Sequence, residues 1–321
     1  MSVTNLSILG SHNSLAYSRP GRPPVSNISR TQVLDLRRQL GIGVRYLDVR
    51  MRHYKNAFVA HHGATYLWGN FEDVVRDLCW FLSGGDGEEG GGGGGKGETI
   101  IMRLKRETGS WDVRAKNERD WEGTLFEYFF TDTFGTRACL ERIWWRPPLE
   151  YGNEWPTLGE ARGKIIILEN FRLGGGRSSS IRYGFRWYDW NSILLQDEYR
   201  VPALSGRKKK FEAVVGFWRK YVDFGGEGGI EGTGAVREEG RGKLLVNHVS
   251  GSGSLAWPID VATGAKGLNR RVGEWLVGEG KGARYLGVVV EDFVSVGDVE
   301  GVVGRNFRGG LRGGKGELES V

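Results

Sequence analysis

The chain has 321 residues, 39% of them hydrophobic, with 45 Lys plus Arg against 39 Asp plus Glu and a formal charge of +6. That length suits one large α/β domain, such as a barrel of about 250 residues, and the mild basic excess suits a polyanion or an anionic membrane surface without choosing between them. Only Cys79 and Cys139 are present, which argues against a disulfide framework or a cysteine-ligated zinc site, and both read as core thiols among apolar neighbours.

In chain order, "NLSILGS" (5–11) is strand-like. "SRTQVLDLRRQLGIG" carries Val33, Leu36 and Leu40 at helical spacing, with Gly41 placed to stop the helix. "VRYLDVRMR" alternates as a strand, "NAFVAHHG" reads as another, and "FEDVVRDLCWFL" (71–82) is an amphipathic helix. The strands "TIIMRLK", "GKIIILEN", "KLLVNHV" and "YLGVVVEDF" follow, with a helix at "LNRRVGEWLV" before the last. Six or seven apolar strands separated by helices predict a parallel sheet covered on both faces. Glycine numbers 53, and much of it lies in 83–98, 224–242 and the tail. These are expected to be surface loops and a flexible 305–321 segment around one domain spanning 1–304. A phosphate-cradling loop needs Gly-Lys-Ser/Thr at a helix start, and "GKGETII" leads into a strand instead.

Nearly every strand ends in polar residues: His12-Asn13, Asp48-Val49-Arg50, His61-His62, Lys105, Glu169-Asn170, Asn247-His248 and Glu291-Asp292. An α/β barrel gathers such ends at one mouth, so the expected fold is a TIM-type (β/α) barrel, distorted or incompletely closed. The period of two puts Asp48, Arg50 and Arg52 on one face of their strand. Two histidines converging with an arginine and a carboxylate suit phosphodiester cleavage: one imidazole as base, one as acid, a guanidinium for the phosphate. Calcium or magnesium would need several convergent carboxylates, for which Asp48, Glu169, Glu291 and Asp292 are available. Arg50 shares a face with Asp48 and would occupy the cation position, so no metal or other cofactor is expected, calcium being the alternative.

Taken together, "ILGSHNS", "GVRYLDVRMR", "VAHHGATYL", "ETIIMRLKRE", "LGEARGKIIIL", "LLQDEYRV", "SGSGSLAW" and "VVVEDF" resemble, in order and over residues 5–295, the X-domain of phosphatidylinositol-specific phospholipase C in its single-domain, bacterial-type form. The resemblance implies that His12 is the general base, paired with Asp292, and that His62 is the general acid, with His61 structural. It implies that Arg50 contacts the phosphate beside the acidic Asp48, and that Lys105, Asp197 and Tyr199 line an inositol pocket. The implied products are diacylglycerol and inositol 1,2-cyclic phosphate, from phosphatidylinositol or a glycosylated form of it.

Three departures stand out. Asn13 replaces the aspartate expected to partner the arginine: its amide can still accept a hydrogen bond from Arg50 but no longer offsets the charge, and an asparagine here resembles a ligand of the calcium-dependent branch. No arginine follows "GKIIIL", and Arg172 is the nearest substitute. Trp257 aligns with a rim tryptophan for membrane insertion, but the tyrosines that should follow it are missing; most of the other tryptophans, those of "IWWRPP" and "FRWYDW" included, read as packing residues. The implied partner is a phosphatidylinositol-containing membrane surface. No RNA-binding module is recognisable, so nucleic acid is not expected, and the chain is expected to be a monomer. Residues 1–16 lack an export signal and no apolar run reaches about 18 residues, which predicts a soluble, cytoplasmic or peripheral protein, or a secreted one if a signal precedes residue 1. Competing readings are a ribonuclease using the same two-histidine chemistry, a glycerophosphodiesterase-like barrel, and a catalytically weakened barrel that binds inositol lipids.

Overall fold

A computed structural model describes residues 1–85, 95–108, 117–148, 154–172, 181–224 and 236–307. The longest glycine run and most of 224–242 therefore lie outside the described residues. Eight parallel strands run in the order β7 (Gly184–Arg186), β6 (Lys164–Asn170), β5 (Thr99–Arg106), β2 (Tyr46–Tyr54), β1 (Ser7–Ser11), β10 (Gly287–Glu291), β9 (Leu244–His248) and β8 (Ile193–Gln196). Among the described residues β7 and β8 do not pair, so the barrel is left open between them. β3 (Ala57–His62) and β4 (Thr65–Asn70) form an antiparallel excursion from β2. Lys55 and Asn56, both with positive φ, make the tight turn that reverses the chain there, so this part of the sheet is not parallel as expected.

The strands alternate, and the two faces bury different cores. Leu9, Leu47, Val49, Ile100, Met102, Leu104, Ile165, Ile167 and Val289 face the helices. Ile8, Tyr46, Ile101, Ile166, Leu168, Val246, Val288 and Val290 fill the barrel interior with Trp145, Trp155, Phe185 and Trp187. β1 and β2 approach so closely that a Cβ on Gly10 would lie 2.6 Å from the Tyr46 ring.

The helices are α1 (Leu36–Ile42), α2 (Phe71–Leu82), α3 (Trp121–Phe130), α4 (Arg137–Ile143), α5 (Arg207–Tyr221), α6 (Pro258–Ala262), α7 (Leu268–Val277) and α8 (Val296–Val303). α2 begins at an Asn70–Asp73 capping box and buries Phe71, Val74, Val75, Leu78 and Leu82. α1 starts only after Asp35, which caps it, and passes through Gly41 to end at Gly43 in the left-handed region (φ 114°). The expected helix is thus shortened at its front, where Val33 is exposed. Among the described residues no helix is long and apolar enough to cross a membrane.

Two expectations need correcting. Cys79 on α2 and Cys139 on α4 are joined in a disulfide, their Cα atoms 6.1 Å apart, because these two helices pack side by side. The ordered fold also continues past 304. Arg305 is buried and donates to the carbonyls of Gly280 (2.9 Å), Ala283 (2.8 Å) and Leu276 (2.5 Å), while Asn306 brackets Ser7 at the start of β1. Arg305→Ala leaves three buried carbonyls without their donor and is expected to cost about 2–4 kcal/mol, read as a lower urea midpoint with an unchanged m-value.

Candidate active site

The inner-face alternation decides which polar strand ends share the mouth. His12 follows β1, Asp48 and Arg50 sit on β2, Arg103 and Lys105 on β5, Asn170 on β6, His248 on β9, and Asp292 follows β10. Glu169, Asn247 and Glu291 have the opposite parity and face the helix layer. There Glu169 accepts the amides of Tyr183 (2.7 Å) and Gly184 (2.8 Å), and Asn247 donates to Val214 on α5 (3.0 Å). Two of the four carboxylates considered for a metal are therefore removed from the mouth. Among the described residues no group of three or more His, Cys, Asp or Glu side chains is placed to share a metal.

His12 Nδ1 lies 2.7 Å from Asp292 Oδ1, and Arg50 Nη2 lies 2.6 Å from His12 Nε2. The guanidinium can only donate, so Nε2 holds a lone pair and the ring proton sits on Nδ1, donated to Asp292. Burial and the Arg50 charge hold His12 well below the usual histidine range. Burial pushes Asp292 above the usual carboxylate range, against the cations of Arg50 and Lys210. The two chain ends bearing this pair are clamped by Gln32, whose amide donates to the carbonyls of His12 (2.9 Å) and Glu291 (3.1 Å).

His62 reaches the mouth from the hairpin. The register of β3 on β4 shifts between Val59 and His61, and beyond that shift the His62 ring stands edge-on to His12 with centroids 5.8 Å apart. Its Nδ1 donates to the Ser29 carbonyl (2.7 Å), leaving Nε2 as the exchangeable position. Burial and Arg50 lower it to about 4. His61 is buried against Tyr66 and takes no place beside His12.

Asp48 is fully buried and held from two sides, by Arg50 Nε on Oδ2 (2.8 Å) and by Arg103 Nη1 near Oδ1 (3.3 Å), with the Asn13 backbone N–H also donating to Oδ2 (3.1 Å). Burial alone would raise its pKa, but the two guanidinium groups hold it well below the usual range. The expected Asn13–Arg50 hydrogen bond is not formed. Asn13 lies one residue past His12, on the opposite parity, and its buried amide finds no partner among the described residues. Asp48 provides the negative charge beside Arg50 instead.

Arg172 is also corrected. It lies exposed beyond β6, with no contact to the mouth among the described residues. The second cation is Arg103, 3% exposed, its guanidinium 4.1 Å from the centroid of the Trp187 ring. With its amide oxygen turned inward, Asn170 accepts from Arg103 Nη2 (2.6 Å) and Nε (3.0 Å). Lys105 pairs with Glu107 (2.9 Å), which also lies 3.5 Å from Arg50. His248 stands with its ring 6.0 Å from His12, and burial lowers it to about 4. Asp197 approaches His248 at 4.0 Å, whereas Tyr199 lies exposed at the rim beside Trp257. Sequence reasoning missed Arg103, Glu107, His248 and Trp187. Arg103 and Glu107 flank Lys105 at spacings of two in "MRLKRE", a signal that was readable once the parity of β5 was known.

Fold and site define an open α/β barrel whose mouth sets two histidines about a buried arginine and carboxylate. The chain is similar in sequence to bacterial 1-phosphatidylinositol phosphodiesterases and shares the fold of bacterial phosphatidylinositol-specific phospholipases C. It is 25% identical over 304 residues to the 1-phosphatidylinositol phosphodiesterase of Listeria monocytogenes, covering 94% of this chain and 80% of that protein. It is 27% identical over 232 residues to the protein of the same name from Staphylococcus aureus strain Newman, covering 66% of this chain and 64% of that one. The solved phosphatidylinositol-specific phospholipase C of L. monocytogenes superposes with a TM-score of 0.67 at 22% identity, over 95% of this chain and 94% of that one. An S. aureus structure concerned with membrane binding gives 0.62 at 22% identity, over 94% and 93%. No family-wide sequence profile matches the chain.

Asp48→Asn removes the charge shared by two buried guanidinium groups and is expected to cost about 3–5 kcal/mol of stability. Acid should act in the same direction. The lowered Asp48 stabilises the fold above its unfolded pKa and loses that contribution as pH falls through the folded one. His62 and His248 refuse protons between about 6.5 and 4 that the unfolded chain accepts, so stability falls with pH across that window. Urea midpoints at pH 7 and 4.5 test this, and His248→Gln should flatten part of the slope.

Proposed function

We propose that the protein cleaves phosphatidylinositol, or a glycosylated form of it, by intramolecular attack. The observation that carries this is the Asp292–His12–Arg50 chain, with His62 across from it. It presents a base already deprotonated at Nε2, a fixed cation at the same atom, and a second imidazole on the opposite side of the gap.

Binding of the phosphodiester gives Arg50 an anionic acceptor in place of His12, which frees Nε2 to take the proton of the inositol 2-hydroxyl. The 2-oxygen attacks phosphorus, the bond to the diacylglycerol oxygen breaks, and His62 Nε2 delivers a proton to that oxygen. Asp292 stabilises the imidazolium formed at His12. His62 must be protonated to act. The substrate's negative charge offsets the Arg50 field that lowers it in the empty site, so binding raises its proton affinity. The cyclic phosphate is then open to slow hydrolysis with the two histidines in reversed roles. Lys105, Asp197 and Tyr199 would contact the inositol ring, and Arg103 would hold the carboxylate that orients Arg50.

Arg50 lies between Asp48 and His12, where a catalytic cation would have to sit, and this supports a reaction without metal. The weakened-barrel reading rested on Asn13, the missing arginine and the glycine expansions; against it, Arg103 brings a second cation beside Asp48. The Cys79–Cys139 bridge favours an oxidising compartment over a reducing cytosol. Purified protein should release inositol 1,2-cyclic phosphate from phosphatidylinositol vesicles in EDTA, detectable by phosphorus NMR. His12→Ala and His62→Ala should each lower kcat by about 10²–10⁴. Strict dependence on added calcium, or full activity in either variant, contradicts the assignment.

The lipid would be met at the rim. Loops 199–203 and 252–256 run together through bridges Arg200–Ser252 and Ala203–Leu255, and raise Leu255 (77% exposed) and Trp257 (42%) beside Ile28. Exposed Arg200, Lys208 and Lys209 flank them, the pattern of an interfacial contact with anionic lipid. Leu255→Ala with Trp257→Ala should weaken vesicle binding in a sedimentation assay by about tenfold or more, while turnover of a soluble short-chain substrate stays near wild type.

A further inference from the structure

α5 opens on four consecutive cations, Arg207 to Lys210, at the end of the helix where the dipole is positive. Lys208 and Lys209 face solvent, but Lys210 is 3% exposed. An ammonium inside the helix layer at that end is disfavoured by both desolvation and the dipole. Local rules broken this openly are expected near functional sites.

The acceptor that receives Lys210 is Gln196, the last residue of β8, at 3.1 Å from Nζ to Oε1. Gln196 is fully engaged. Its Oε1 also accepts the Glu198 amide (2.8 Å), and its Nε2 donates to Asn247 Oδ1 (2.7 Å) and to the His248 carbonyl (2.9 Å). Asn247 returns to α5 through its bond to Val214. This ring of bonds lies on the helix side of the barrel wall. The residues it anchors, Asp197 to Tyr199 after β8 and His248 on β9, carry the side chains on the mouth side.

We propose that Lys210 is a positioning residue for the inositol side of the site: through its bond to Gln196, which also accepts the Glu198 backbone N–H, it fixes the turn bearing Asp197 and Tyr199. This rests on the reading of those residues given under the proposed function. The charged and titratable groups facing Lys210 are Asp197 and Glu198 from the turn, Asp292 after β10 and His248 on β9. Burial lowers Lys210 to about 8, with the three carboxylates opposing the shift. Its charge is therefore full below that pH and lost above it.

The test compares wild type, Lys210→Arg and Lys210→Met in the full chain, between about pH 6 and 9.5, reading kcat and KM separately on phosphatidylinositol, with myo-inositol as competitor. Wild type should lose head-group affinity above pH 8, with KM and the myo-inositol inhibition constant rising while kcat changes less. Lys210→Met should show weaker affinity at every pH, about five- to tenfold at pH 7, as expected for one lost charge-assisted bond. Lys210→Arg should keep the affinity and lose the rise. Lys105 is also lowered by burial, but it titrates equally in all three proteins, so the differences between them report on Lys210. Identical pH profiles in wild type and Lys210→Arg, or a Lys210→Met effect confined to kcat, would overturn the proposal. Should the Met variant not fold, the wild-type and Arg profiles decide alone. Wild type that neither turns over phosphatidylinositol nor binds myo-inositol would instead defeat the proposed function itself.

Discussion

Asp48 has no solvent and is held by two hydrogen bonds, from Arg50 and the Asn13 backbone N–H on one oxygen, and by the charge of Arg103 3.3 Å from the other. A lone carboxylate in that position would be pushed to protonate, and two buried guanidinium groups without it would repel each other. The mutual compensation lets the mouth contain fixed cations at all. Arg50 is aimed at His12 because Asp48 holds its Nε, and the His12 lone pair is kept unprotonated because Arg50 donates to it. His12, Arg50 and Arg103 all lean on that one ion cluster.

The same cluster explains how the chain tolerates its departures from the pattern it resembles. The aspartate expected at Asn13 and the arginine expected after "GKIIIL" are both missing, so one charge of each sign is lost. The positive charge returns on the neighbouring strand, where Arg103 points inward, stacks on Trp187 and uses Asn170 as its acceptor. Asp48 then balances two arginines.

Much of the fold was legible because its signals are local. The apolar strands, the 71–82 and 268–277 helices and the polar strand ends follow from periodicity and from residue type. The unread elements were those lacking a periodic stripe, such as the three-residue β7, the four-residue β8 and α5 with its run of cations. The disulfide escaped because nothing local distinguishes a thiol between apolar neighbours from one facing its partner on the next helix. The Arg305–Asn306 closure escaped because a glycine-rich tail looks the same whether or not one arginine in it is buried.

The order of motifs, through the resemblance it carries, singled out His12, Arg50, His62 and Asp292, while residue type and spacing were enough to indicate the barrel and the polar pairs at its strand ends. These are properties of residue type and of a period of two. Tertiary structure alone decided which member of each pair faces the mouth, that Asp48 rather than Asn13 meets Arg50, and that Arg103 rather than Arg172 is the second cation. It also set Lys210 behind Gln196 and the turn that follows β8. Those outcomes depend on strand parity relative to the barrel axis and on contacts between residues distant in the chain, which no local pattern encodes.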